Sequence, residues 1–141
     1  MTQDYPHVGT GVFVRKDGKV LMGKRSGKSA PGHWCPPGGK LEMNEDVYEC
    51  ARRETLEEAG IEISNLRLIA VTNDIWPEMK THFITLHFAA NWKSGEVHLA
   101  EPDAFETWEW RTWDDLPKPL LIATQHFVDT GKNPFTAEVI D

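Results

Sequence analysis

Apolar residues recur through Val8–Arg15 and again through Lys19–Arg25, with Lys16-Asp17-Gly18 between the two runs. An Asp-Gly pair supplies the left-handed positions of a tight turn, so these segments predict a β-hairpin. A stretch rich in proline and glycine, Pro31-Gly32 and Pro36-Pro37-Gly38-Gly39, then interrupts regular structure. Helical spacing follows from about Glu45 to Ala59, with Asn44 suited to the N-cap, Glu45 and Asp46 at the positive end of the dipole, and Gly60 as the stop. Extended segments are predicted at Asn65–Asn73 and His82–Asn91, where Phe83, Thr85 and His87 alternate with Ile84, Leu86 and Phe88. A strand around Phe105–Trp113 and a helix near Leu120–Val128 complete the chain. Trp108 and Trp110 share one face of that strand, a pattern of core packing more than of a base-stacking platform. Strands alternating with two helices, undivided by repeat, low-complexity tract or linker, predict one mixed α/β domain over residues 1–141.

The first helix has an unusual inner face. Projected at about 100° per residue, Val47, Cys50, Ala51, Glu54 and Glu58 form one stripe with Glu57 on its edge. Two glutamates therefore continue an apolar face. Like charges at this spacing destabilise an isolated helix by roughly 0.2–0.5 kcal/mol, and burial costs more unless the charges are paired. Arg52 and Arg53 offer an ordinary solvated ion-pair network. The projection turns Arg53 away from the stripe toward Glu49 and Glu57, which leaves the inward carboxylates without an obvious partner. A hard divalent cation answers that need, because Mg²⁺ prefers oxygen ligands and bridges carboxylates to substrate phosphates.

Fifteen basic and twenty-two acidic residues give a formal charge of -7, which argues against a nucleic-acid polymer or an anionic membrane as partner. An anionic small molecule is compatible once a cation neutralises the local field. Cys35 and Cys50 form no CxxC pair, the N-terminal residues show no basic-then-apolar pattern, and no segment approaches about 18 apolar residues. A soluble, cytoplasmic protein is the expectation. Two weak phosphate motifs fall short: Gly23 to Ser29 is one residue too short for a P-loop, and Gly9-Thr10-Gly11 lacks the third glycine of a dinucleotide fingerprint.

The run Gly39-X5-Glu45-X7-Arg53-Glu54-Thr55-Leu56-Glu57-Glu58-Ala59-Gly60-Ile61 resembles the Nudix hydrolase signature, with Thr55 where an aliphatic residue is commonest. Outside it, Gly23-Lys24-Arg25, Pro37 to Glu42, Glu49-Cys50-Ala51, Trp108-Glu109-Trp110, Leu116-Pro117 and Asn133-Pro134-Phe135 are similar to the MutT-like nucleotide triphosphate diphosphatases that act on thiopurine nucleotides, and to their plant counterparts. The resemblance implies the Nudix fold, a mixed β-sheet sandwiched between α-helices. It further implies Mg²⁺, with Mn²⁺ as a substitute, held by Glu54, Glu57, Glu58 and the Gly39 carbonyl. Glu57, Glu58 or Glu101, the last on a later loop, would serve water activation. Arg25 and Thr85 would contact substrate, Glu45 and Arg53 would support the helix, and the assembly would be a homodimer. His82 and His87 are expected to be strand-surface or core residues, since hard magnesium does not seek imidazole.

The reaction so implied is hydrolysis of a (deoxy)nucleoside triphosphate, modified or oxidised nucleotides included, to monophosphate and diphosphate. Leu121-Ile122 stands where the resembled enzymes carry an aromatic pair, so the base stays open. Pro77 resembles a proline of ADP-ribose hydrolases and keeps sugar-nucleotide diphosphates as an alternative, while the plant-like similarity suggests a pterin triphosphate. Dinucleoside polyphosphates are disfavoured, because their hydrolases carry a tyrosine beyond the box and the chain has only Tyr5 and Tyr48. A non-catalytic Nudix ligand-binding module is the alternative from another class.

Overall fold

The computed structural model describes residues 4–140. The elements in order are β1 (His7–Lys16), β2 (Lys19–Arg25), β3 (Trp34–Cys35), α1 (Val47–Ala59), β4 (Glu62–Trp76), a single 3₁₀ turn (Pro77–Met79), β5 (Thr81–Ser94), β6 (Phe105–Thr112) and α2 (Ile122–Asp129). The predicted hairpin is present, with Asp17 and Gly18 both at positive φ. It stays paired only at Arg15/Val20 and Lys16/Lys19. β2 then peels away to pair antiparallel with β6 from Lys19/Thr112 to Arg25/Phe105, while β1 pairs in parallel with β5 from His7/Phe83 to Arg15/Asn91. β4 and β5 form a long antiparallel hairpin about the 3₁₀ turn, and both strands run beyond their predicted ends.

The splaying of β1 from β2 exposes backbone groups that must find partners. The loop from Pro37 to Leu41 supplies them. Val12 N–H donates to the Pro37 carbonyl at 2.8 Å, Thr10 and Gly39 exchange bonds at 2.8 and 3.1 Å, and Leu41 N–H donates to Val8 at 2.9 Å. The loop lies against β1 as an irregular strand and delivers the chain to α1.

Side chains on the two faces of the sheet build two cores. Val12, Val14, Leu21, Phe88 and Ala90 pack with Ala51 and Ala59 of α1, whereas Phe13, Val20, Met22 and Ala89 pack with Phe127 of α2. The two faces of β1 and β5 thus each carry a helix, which is the α/β sandwich. Trp108 and Trp110 are packed against the α1-side core. No helix among the described residues is long and apolar enough to cross a membrane.

One local expectation is corrected. Asp46, not Asn44, caps α1, its carboxylate accepting from the Tyr48 and Glu49 N–H groups at 3.0 and 3.2 Å. Asn44 instead takes a left-handed conformation in the preceding turn. Thr55 joins the buried stripe, its hydroxyl donating to the Ala51 carbonyl at 2.7 Å, so this departure from the commonest residue is absorbed inside the helix. Replacing Asp46 with Ala is expected to lower unfolding stability by about 1 kcal/mol, with Asp46→Ser recovering most of it in denaturant titration.

Candidate active site

Two glycines set the geometry between β1 and α1. A Cβ on Gly38 would overlap the Thr10 carbonyl, and one on Gly39 would overlap the Glu54 carboxylate. The backbone can therefore touch both the strand and the helix's acidic face, and Gly38 N–H donates to Glu58 at 2.9 Å. The Gly39 carbonyl points to β1, where it accepts from Thr10. The Thr10 hydroxyl also reaches this carbonyl, at 3.3 Å.

Glu54 and Glu58 face inward, as projected, and Glu57 stands at the rim with its side chain 47% exposed. Arg53 is placed differently from the helix-wheel expectation. Its Nε and Nη2 clasp Glu45 at 2.7 and 3.1 Å, and its Nη1 reaches Glu54 at 2.7 Å and Glu57 at 3.2 Å. The long side chain curls back over its own helix, which a projection of Cβ directions does not capture. Glu54 is therefore ion-paired, whereas Glu58 makes no ion pair among the described residues and feels only the more distant charge of Arg25. The hydrogen bond from Arg53 holds the Glu45 carboxyl down to about 2. Burial raises Glu54 despite the nearby guanidinium, and it pushes Glu58 up to about 8, with the charges of Glu54 and Glu101 acting in the same direction against the Gly38 N–H and the charge of Arg25.

With Glu42 at 3.7 Å, four carboxylates, Glu42, Glu45, Glu54 and Glu57, thus surround the Arg53 guanidinium, and Glu58 stands apart from it. Among the described residues no three His, Cys, Asp or Glu side chains already converge in ligating geometry. Arg53 spans Glu54 and Glu57, and Glu58 points to Gly38. The donor set still fits a hard divalent cation: it is all oxygen, in excess of local positive charge, and partly withdrawn from water.

A cavity of about 230 Å³ adjoins this cluster, lined among others by Gly38, Gly39, Arg25, Asp74, Trp76, Phe83, Thr85 and His87. Arg25 donates to the Ser29 carbonyl at 2.9 Å and also borders the open cleft that contains Glu101. Glu101 is half-buried on the 95–104 loop, close enough for its charge to act on both Glu54 and Glu58. Thr85 is buried and its hydroxyl donates to Asp74. Pro77 is exposed and opens the 3₁₀ turn, while Trp76 and Met79 on either side of Pro77-Glu78 reach the cavity.

The chain matches the NUDIX domain over residues 5–130. It belongs to the Nudix hydrolase family. A solved MutT NUDIX hydrolase from Burkholderia pseudomallei is 35% identical with a TM-score of 0.84, over 89% of this chain and 98% of that one. Among curated relatives, an NAD-capped RNA hydrolase, NudC, from Pseudomonas aeruginosa is 35% identical over 84% of this chain and 41% of its own length. NudC from Escherichia coli is 30% identical over 89% of this chain and 49% of its own. This Nudix chain therefore spans under half the length of the curated relatives it matches.

Sequence reasoning passed over Asp74, Trp76, Thr124 and His126, and read His87 only as core or strand surface. His87 is core, 2% exposed, and it also lines the cavity. The available signal was period-2 spacing: Thr72, Asp74 and Trp76 share a strand face, which would otherwise be expected to be apolar.

Two buried groups give a pH profile with opposite slopes. Glu58 titrates above its unfolded value, so its contribution is full below pH 4.5 and lost as pH rises through about 8. Burial lowers His87 to about 4, so its contribution is full above pH 6.5 and lost as pH falls through about 4. In chelator, the stability of the wild type is expected to fall between pH 6.5 and 8, and Glu58→Gln to flatten that limb while keeping the acid limb. Thermal melts across pH read both, and a flat wild-type profile above pH 6.5 would contradict the unpaired state of Glu58.

Proposed function

We propose that this Nudix hydrolase cleaves a (deoxy)nucleoside triphosphate to monophosphate and diphosphate, with Mg²⁺, or Mn²⁺ in its place, held by Glu54, Glu57, Glu58 and the Gly39 carbonyl. The observation that carries the proposal is the buried Glu58 carboxylate, whose only hydrogen-bond donor among the described residues is the Gly38 N–H, and which lies with Glu54 and Glu57 beside a cavity of heterocycle size. A bound divalent cation supplies charge compensation and acidifies water.

The chain's own residues do the rest. Arg25, bordering both the cavity and the Glu101 cleft, suits the phosphoryl oxygens, for which a planar guanidinium offers two parallel donors. Arg53, anchored on Glu45, orients Glu54 and Glu57. Glu57 is the exposed member of the cluster and Glu101 faces the same region from its loop, so one of these, or Glu58, takes the proton from attacking water. Phosphoryl transfer asks chiefly for such positioning and charge compensation. The apolar wall of Trp76, Met79, Phe83, Leu121 and Ile122 supplies the stacking surface that Leu121-Ile122 alone would lack. A cytoplasmic homodimer completes the proposal, with Val71 and Ile75, each at least half exposed on edge strand β4, as the apolar surface available for pairing.

A second substrate class is a diphosphate joining two nucleosides, favoured by the NAD in the name of the NudC relatives, or a nucleoside and a sugar, the alternative kept by Pro77. One panel separates the two: metal-dependent release of diphosphate or monophosphate from nucleoside triphosphates, a pterin triphosphate, NAD and ADP-ribose. Fastest turnover is expected on a triphosphate. Fastest turnover on NAD or ADP-ribose would move the chain to the second class, and tight binding without turnover would make it a ligand-binding module. Glu58→Gln is expected to lower turnover by about a hundredfold or more with the circular dichroism spectrum unchanged. Near-normal activity in that variant would refute the metal assignment.

A further inference from the structure

The sheet face under the cavity carries a polar cluster that the hydrolysis itself does not require. Asp74 is 2% exposed and accepts from Thr85 and, at 3.1 Å, from Thr72 on Oδ2, and from His126 Nδ1 at 2.7 Å on Oδ1. His87 Nε2 lies 2.8 Å from the Thr72 hydroxyl. That hydroxyl has one proton and gives it to Asp74, so the imidazole must donate to Thr72. Burial keeps His87 neutral near pH 7, which leaves its other nitrogen, Nδ1, unprotonated. Nδ1 is buried with no hydrogen-bond partner among the described residues.

The cluster is reachable because the facing strand has no side chains there. Gly9 and Gly11 of β1 register with Thr85 and His87 of β5 and line the same cavity. The space above Gly11 lies about where a Cβ would sit 3.7 Å from His87 Nδ1. The Gly-Thr-Gly segment, too short for a dinucleotide fingerprint, serves here as a gap over polar atoms.

The polarity of this floor is one-sided. An ionised carboxylate has about four acceptor positions, and three of Asp74's are filled, which leaves one on Oδ1. The protons of Thr72 and Thr85 are spent on Asp74, and His87 offers a lone pair. Thr124 adds a hydroxyl that donates or accepts as its partner requires. The lining cations, Arg25 and Lys40, belong to the carboxylate side of the cavity, Lys40 following Gly39 in the loop. A ring that turned an acceptor toward this floor would set lone pair against lone pair in a desolvated place, and that is costly.

We propose that Asp74 is the specificity-determining residue of the cavity and selects a heterocycle with adjacent N–H donors, the 2-amino-oxo edge that guanine nucleotides and pterins share. This rests on the cavity's being the nucleotide site. Adenine and cytosine place a ring acceptor next to their amino group and are discriminated against; hypoxanthine, with one donor, falls between.

The test compares kcat/KM for GTP, ITP, ATP and a pterin triphosphate in the wild type and in Asp74→Asn, which exchanges an acceptor oxygen for a donor of the same shape. A ratio between substrates is unaffected by any loss of folded protein, which scales all of them together. The wild type is expected to rank GTP above ITP above ATP, and Asp74→Asn to cut the GTP/ATP ratio by about ten- to a hundredfold. The larger of the GTP and pterin values identifies the source of the edge. N1-methyl-GTP, which blocks the edge on the substrate and needs no variant, is expected to lose a similar factor on the wild type. A wild type that prefers ATP, or a GTP/ATP ratio unchanged in Asp74→Asn, overturns the proposal. Calorimetric binding of GMP, IMP and AMP applies the same criterion without hydrolysis, so a failure of the triphosphatase reaction is distinguished from a failure of Asp74 to select.

Discussion

The close approach of the Gly38–Gly39 backbone to β1 on one side and to the Glu54 and Glu58 carboxylates on the other is the constraint on which the site depends. A side chain at either position would strike backbone or carboxylate. With none there, the loop satisfies the strand edge that β2 abandons, α1 begins at a defined distance from the sheet, and two acidic side chains enter a partly desolvated seam. One geometric fact thus repairs the hydrogen-bond deficit of a splayed hairpin and also makes the acidic seam. The energetic conflict at Glu58 is the consequence: burial and neighbouring carboxylates oppose its ionisation, and one N–H offsets only part of this.

Arg53 shows how the same helix keeps that conflict within bounds. By gripping Glu45 with two nitrogens and reaching Glu54 and Glu57 with the third, it ties a carboxylate that precedes α1 to two that lie within one turn of the helix. The guanidinium geometry allows this where a lysine would offer a single point charge. Neutralising part of this cluster while leaving Glu58 unmatched keeps a local excess of negative oxygen, the condition under which a divalent cation bridging protein to phosphate is favourable.

The sheet face toward α2 divides into two chemistries along the same strands. From Phe13 and Ala89 onward it is hydrocarbon packed on Phe127, whereas near Gly9, Gly11, Thr85 and His87 it is a cavity floor with a buried carboxylate. β1 makes the change by giving up side chains and β5 by exchanging apolar for polar ones. The bond from His126 on α2 to Asp74 on β4 ties the helix to the floor and closes that side of the cavity. The carboxylate cluster and the cavity floor therefore share β1 and the Gly38–Gly39 loop, and their separation is set by the sheet.

Much of the candidate site was legible in the chain because it is local. Helical spacing puts Glu54, Glu57 and Glu58 within one turn, Gly60 stops the helix, and the register of Gly39, Glu45 and Arg53 identifies the family. What stayed hidden depends on atoms far apart in sequence or on side-chain reach. The cap moved to Asp46 because the turn before it bends at Asn44, and Arg53 found Glu54 because a long side chain is not bound to its Cβ direction. The cavity floor joins residues from β1, β4, β5 and α2, with Asp74 and His126 fifty-two positions apart. No period along one strand announces such a meeting: sequence alone determined the acidic helix and its family, and only the tertiary structure, by laying four elements around one space, decided what that helix stands beside.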